Sequence, residues 1–163
     1  MDESIVDLKQ KKNLNNALEF VMGSSKSKLL FAWDQKYCTD SGFKTSNDRH
    51  KPIFFKEMEN LWDKYSGKYS SSNTLLIDDE PYKSLLNPPN SAIFIPEYNS
   101  KQANDNVLGP NGKLRLFLDG ITEADDVPYY VKENPLDFGL SAISTDHPEW
   151  NYYCKIIRRF GKK

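Results

Sequence analysis

Cysteine and histidine are both scarce in this chain, two of each among 163 residues. Cys38 and Cys154 lie far apart without CxxC spacing, which argues against a disulfide framework or a zinc site and for two thiols in a reduced compartment. His50 and His147 sit in polar stretches and read as loop residues. No apolar run reaches the length needed to span a bilayer. The start, Met1-Asp2-Glu3, has neither the cationic opening of a secretory signal nor the acid-poor character of a transit peptide. A surplus of one charge is missing too, since 22 Lys and Arg face 23 Asp and Glu for a formal net charge of −1. Bulk electrostatics therefore give no reason to expect nucleic-acid binding. The cations Lys155, Arg158, Arg159, Lys162 and Lys163 read as a solvated basic end, with an acidic partner as the other reading. The expectation is a soluble intracellular protein of the nucleus or cytoplasm, without a membrane segment.

What is present is a mixed pattern of helical and strand-like periods. Leu14, Ala17, Leu18, Val21 and Met22 follow helical spacing, and Gly23 stands where such a helix stops. Leu29-Leu30-Phe31-Ala32-Trp33 reads as a buried strand ending at Asp34, followed by a long polar loop from Gln35 to Lys51. Phe54, Phe55, Met58, Leu61 and Trp62 predict a second helix with Lys56, Glu59 and Asp63 on its polar side. A Ser-rich connection, Ser66 to Ser72, leads to an apolar run at Leu75 to Ile77. A short helix around Tyr82 to Leu86, the breaker Asn87-Pro88-Pro89-Asn90 and a strand at Ala92 to Ile95 come next. Leu114, Phe117, Leu118 and Ile121 predict one helix, and Val127, Tyr130 and Val131 another, closed by Asn134-Pro135. The aromatics from Leu136 onward, Trp150, Tyr152, Tyr153 and Phe160, show no clear period, and that stretch receives no assignment. Alternation of helices and strands predicts an α/β fold with a parallel sheet and helical crossovers.

The passage richest in chemistry is Leu75-Leu76-Ile77-Asp78-Asp79-Glu80-Pro81. A short apolar strand would deliver consecutive carboxylates at its carboxyl end, where open α/β sheets hold ligands. Neighbouring carboxylates repel unless a cation lies between them, and Mg²⁺, an oxygen-seeking ion that keeps several waters, suits that place. The plainer alternative is an acidic turn opening the next helix, with Pro81 at its first position.

These residues and their flanks carry a resemblance. Lys51-Pro52-Ile53-Phe54-Phe55-Lys56-Glu57 and the stretch from Thr74 to Phe94, Thr-Leu-Leu-Ile-Asp-Asp-Glu-Pro-Tyr-Lys-Ser-Leu-Leu-Asn-Pro-Pro-Asn-Ser-Ala-Ile-Phe, resemble the CTD-phosphatase-like branch of the haloacid dehalogenase superfamily. Plant members are the most similar, and the likeness runs roughly from Lys11 to Asn134. The resemblance implies a Rossmann-like domain that removes phosphate from protein serine or threonine with Mg²⁺, through an aspartyl-phosphate formed on a DxDx[TV] motif. It places Lys56 at the lysine that stabilises the transferring phosphoryl group. It also places Asp79 at the direct or water-linked Mg²⁺ ligand, with Asp78 orienting it. Glu80 departs from the small hydroxyl residue often found there, so that it either weakens phosphate affinity or points to solvent.

Two parts of the pattern are missing. No DxDx[TV] occurs in the chain, and the Ser or Thr motif expected just before Lys11 is replaced by Val6-Asp7-Leu8-Lys9-Gln10. The expected architecture is therefore a truncated Rossmann-like sheet over residues 1–134, lacking the family's first two strands, with residues 135–163 as an extension. Leu29 to Trp33 would be cut off from Thr74 to Asp78 by a gap of roughly 10 Å. Either the remnants pair directly, or another chain supplies strands, or folding is marginal; self-association through unpaired edges is one consequence. The expected function is a catalytically impaired phosphatase remnant with weak or absent Mg²⁺ binding and a phosphoprotein or other protein partner. The alternative is a non-catalytic binding subunit, because the same domain occurs in the receptor subunit of the mitochondrial inner-membrane presequence translocase. That reading requires a transit peptide and an anchor upstream of Met1.

Overall fold

The computed structural model describes residues 5–99, 101 and 105–160. The chain divides into two compact units, Met1–Thr39 and Asp40–Lys163.

The first unit is built around one long helix, α1 (Ile5–Met22), which includes the predicted turns at Leu14 to Met22. Gly23 ends it with φ of +50°, a conformation that a side chain resists, and a 3₁₀ helix follows over Gly23–Lys28. Ile5 onward is helical, so the segment before Lys11 forms no strand. Leu29 to Trp33 corrects the expectation of a buried strand. Leu29 is extended at φ −67° and ψ 131°, yet the segment belongs to neither sheet among the described residues, and Leu30 is 69% exposed. A strand-like composition makes a strand only where a neighbouring strand takes up its N–H and C=O groups.

From Asp40 onward the second unit contains the rest of β1 (Thr39–Lys44) and β2 (Pro52–Phe55), which pair with each other. The connection 45–51 is too short for a parallel crossover, so the pair is a hairpin, closed by Thr45 N–H donating to the Lys51 carbonyl at 2.9 Å. This corrects two expectations: residues 39–44 are not loop, and Phe54 and Phe55 are not helical. Along β2 the burial alternates, with Ile53 and Phe55 both 0% exposed, and the period of two prevails over the helical spacing that the same residues also satisfy. The helix α2 begins only at Met58 and runs to Lys64.

β3 (Leu76–Asp78) and β4 (Ala92–Phe94) form a second, parallel pair in which Leu76, Ile77 and Asp78 oppose Ala92, Ile93 and Phe94. Residues 79–91 supply the crossover that a parallel ladder needs, and they include a 3₁₀ helix at Pro81–Ser84. Among the described residues the expected parallel sheet is thus reduced to this one pair. Three helices follow: α3 (Lys113–Ile121), α4 (Val127–Glu133) and α5 (Trp150–Phe160). Asp126 starts α4 by accepting from the Tyr129 N–H at 2.7 Å. Gly112 precedes α3 at a point where a Cβ would lie 2.1 Å from the Asn106 carbonyl oxygen, so no larger residue fits without moving the backbone.

Two cores hold this unit. Ile53, Phe55, Tyr82, Tyr153 and Ile156 form one, and Ile93, Leu114 and Phe117 the other, with Ile77, Tyr130 and Phe138 among the half-buried residues around it. The stretch that had no assignment therefore contributes α5 to the first core. Its faces were legible after all, since Tyr153, Ile156, Ile157 and Phe160 repeat at helical spacing, but Trp150 and Tyr152 obscure the period. Tyr152 also donates its hydroxyl to the Lys44 carbonyl at 2.6 Å, and Arg159 lies 5.3 Å from the Phe43 ring, tying α5 to β1. Among the described residues no helix is long and apolar enough to cross a membrane.

Candidate functional site

β3 ends on Asp78, and the chain then turns at once into the 3₁₀ helix. Asp78 shapes that turn by accepting the Glu80 N–H on Oδ1 at 3.1 Å, and Pro81 occupies the first part of the helix without needing a donor partner. The plainer reading of the acids as a turn-forming element holds to this extent. On the other side, the Lys56 N–H at the end of β2 donates to the Lys83 carbonyl at 2.8 Å. Asn87 braces the same junction. Its Nδ2 donates to the Lys56 carbonyl at 2.8 Å, and its Oδ1 accepts the Met58 N–H at 2.9 Å, which satisfies a donor at the start of α2.

This framework gathers four charged side chains. Lys56 Nζ lies 2.6 Å from Asp78 Oδ2, while Lys83 Nζ bridges Asp78 Oδ1 at 2.8 Å and Asp79 Oδ1 at 3.1 Å. Only 2% of the Asp78 side chain is exposed, against 45% for Lys56, 23% for Lys83 and 39% for Asp79. Burial alone would raise the Asp78 carboxyl, but its neighbours Asp79, Lys56 and Lys83 outweigh burial and hold it well below the ordinary carboxylate range. For Lys83, burial would lower the ammonium, and hydrogen bonds and charge from Asp78 and Asp79 raise it instead. Outside this group, Glu80 pairs with Lys51, so Glu80 neither stands free in solvent nor enters the cluster.

The structure thus brings Lys56 and Asp78 into direct contact and joins Asp79 to them through Lys83. Lys56 extends from the end of a strand rather than from the polar side of a helix. Sequence reasoning passed over two residues. Lys83 had a signal, because Asp79 and Lys83 stand four apart, the spacing at which opposite charges meet across one helical turn. Asn87 had none, since its role depends on a contact with β2 that no local pattern encodes.

A magnesium ion fits this arrangement poorly. Both Asp78 oxygens are committed to ammonium and N–H donors, Lys83 covers Asp79 Oδ1, and among the described residues no three His, Cys, Asp or Glu side chains converge. Mg²⁺ demands a near-octahedral shell of oxygens and would have to displace an ammonium to bind Asp78 or to bridge the pair through the two Oδ1 atoms. Beyond β4 lies an open, largely apolar cleft of about 790 Å³, lined in part by Ile95, Tyr98, Leu108 and Phe138; none of the four charged residues lines it.

The parallel pair thus presents Asp78 at its carboxyl end beside Lys56 and Lys83, the end at which open α/β sheets as a class hold ligands. The sequence profile of the NLI interacting factor-like phosphatases matches residues 9–128, and the chain belongs to that family. Membership implies a haloacid dehalogenase-like fold, and the family uses Mg²⁺. The matched region contains Lys56, Asp78, Asp79 and Lys83. No curated protein and no solved structure matches the chain.

Proposed function

We propose that this chain is a catalytically impaired member of its family, in which the lysine and acidic-pair edge of a phosphoryl-transfer site survives without turnover of its own. In this reading Lys56 is the group that meets phosphate. Its ammonium is anchored on Asp78 at 2.6 Å while the side chain as a whole is 45% exposed, so Lys56 is open to an incoming anion without giving up its partner. That contact is the observation on which the reading rests. The class of ligand is a phosphorylated serine or threonine side chain, following the family's activity.

Turnover needs a nucleophile, and no DxDx[TV] sequence occurs among the 163 residues. Binding groups and positive charge alone leave only residual catalysis, because the covalent step has no attacking atom. Asp78 cannot substitute, being buried and held by three donors. The finer architectural reading follows: a haloacid dehalogenase-like domain reduced to its later strands, with β3 and β4 as the pair that carries the site.

Hydrolysis of p-nitrophenyl phosphate with Mg²⁺ tests this. The purified chain is expected to show no rate above that of a Lys56→Ala, Asp79→Asn double variant. Turnover by the parent chain that disappears in the double variant overturns the reading.

A further inference from the structure

The acidic pair of this site already contains a cation, and it belongs to the chain. Lys83 Nζ lies 2.8 Å from Asp78 Oδ1 and 3.1 Å from Asp79 Oδ1, bridging the two carboxylates as a shared ion would. We propose that Lys83 is an intramolecular replacement for a divalent metal, and that its ammonium closes the Asp78–Asp79 pair to Mg²⁺. This rests on the reading of Lys56, Asp78 and Asp79 as the site edge, but it concerns metal binding and not hydrolysis, so the two fail separately.

Three observations carry the proposal. The first is charge: Lys56 and Lys83 balance Asp78 and Asp79, so the cluster attracts a dication no more than a neutral surface does. The second is the state of the ligand atoms. Asp78 Oδ1 already accepts from Lys83 and from the Glu80 N–H, Oδ2 accepts from Lys56, and Asp79 Oδ1 accepts from Lys83. The third is that Lys83 is held from its backbone. Its carbonyl accepts the Lys56 N–H at 2.8 Å and its own N–H donates to the Glu80 carbonyl at 3.0 Å, so the side chain starts from a fixed point beside both acids. A lysine tethered this way competes with free metal as an intramolecular ligand does, without the loss of translational freedom that a free ion suffers.

Removing that ammonium while keeping the bulk of the side chain should open the site. In Lys83→Met the same four positions carry a net −1, and Asp78 Oδ1 and Asp79 Oδ1 face one another without a cation between them. Isothermal titration with Mg²⁺ and Mn²⁺ on the full chain is the test, with folding checked by circular dichroism. The expected result is that Lys83→Met binds either ion at least about tenfold more tightly than the parent, while Lys83→Arg, which keeps the charge, gains nothing. Adding Asp79→Asn to the Met variant should abolish the gain. Equal affinity of parent and Met variant, or an equal gain in the Arg variant, overturns the proposal. Should the Met variant fail to fold, thermal melting of the parent decides: its midpoint is expected to stay unmoved by millimolar Mg²⁺, and a rise specific to Mg²⁺ over a matched monovalent salt overturns the proposal.

Discussion

The longest helix of the molecule and its shortest strands make opposite contributions. In the first unit α1 extends over 18 residues, yet none of the side chains described from Lys11 to Thr39 is buried, and Phe20 and Val21 are 92% and 79% exposed. In the second, strands of three residues place Asp78, Ile93 and Phe94 at 6% exposure or less. Local periodicity is enough to form a helix, but packing gives a helix most of its stability, and here the packing is concentrated after Thr39. The contrast predicts that the first unit opens at low free energy and the second holds the global stability.

Truncation in the first core is the sharpest way to probe that contrast. Phe55 is fully buried and packs edge-on against Phe160 with ring centroids 5.4 Å apart, so Phe55→Ala should destabilise the second unit by about 4 kcal/mol in a denaturant titration. Asp78→Ala should come next, at about 2 to 3 kcal/mol, because it strips the partner from Lys56 and Lys83. The figure stays below that of a fully buried pair since Lys56 is half-exposed and regains water.

Acidity offers a third, smaller probe of the same residue. The folded Asp78 carboxyl titrates below its ordinary value of 3.8, so its contribution is complete above that value and is lost as pH falls through the folded one. Denaturation midpoints should therefore decline on acidification below about pH 4, and Asp78→Asn should flatten that decline from an already lower plateau. The smallest effect belongs to the first unit. Phe20→Ala should change stability by no more than about 0.5 kcal/mol, and a loss comparable to that of Phe55→Ala would erase the contrast between the units.

The sequence made some of this legible. The part of α1 from Leu14 to Met22, α3 and α4 carry apolar residues at helical spacing, and the strands at Leu76 and Ala92 are short apolar runs between turn signals, so their types were readable from the sequence. Leu29 to Trp33 was misread because composition reports what a segment tolerates, whereas pairing depends on what stands beside it. Phe54 and Phe55 were misread for a related reason: an aromatic run satisfies a period of 2 and a period of 3.6 alike until the chain commits one face to a core. At the site, Lys56, Asp78 and Asp79 were legible through family resemblance. Lys83 was accessible through its spacing from Asp79, but a bridge to both acids is a tertiary fact. Asn87 reads as a helix breaker in the sequence, and only the fold turns its amide into a brace between β2 and α2.

The crossover from β3 to β4 has a double duty. Residues 79–91 allow the two strands to run in the same direction, and they also carry Asp79, Lys83 and Asn87. An inserted residue there would not be an innocuous loop extension, as it often is on a protein surface. It would move the Lys83 ammonium and the Asn87 amide relative to the strand end, and because Tyr82 lies in the same connection it would disturb the first core as well. The length of this one connection therefore sets a charge cluster, a backbone brace and a core aromatic together.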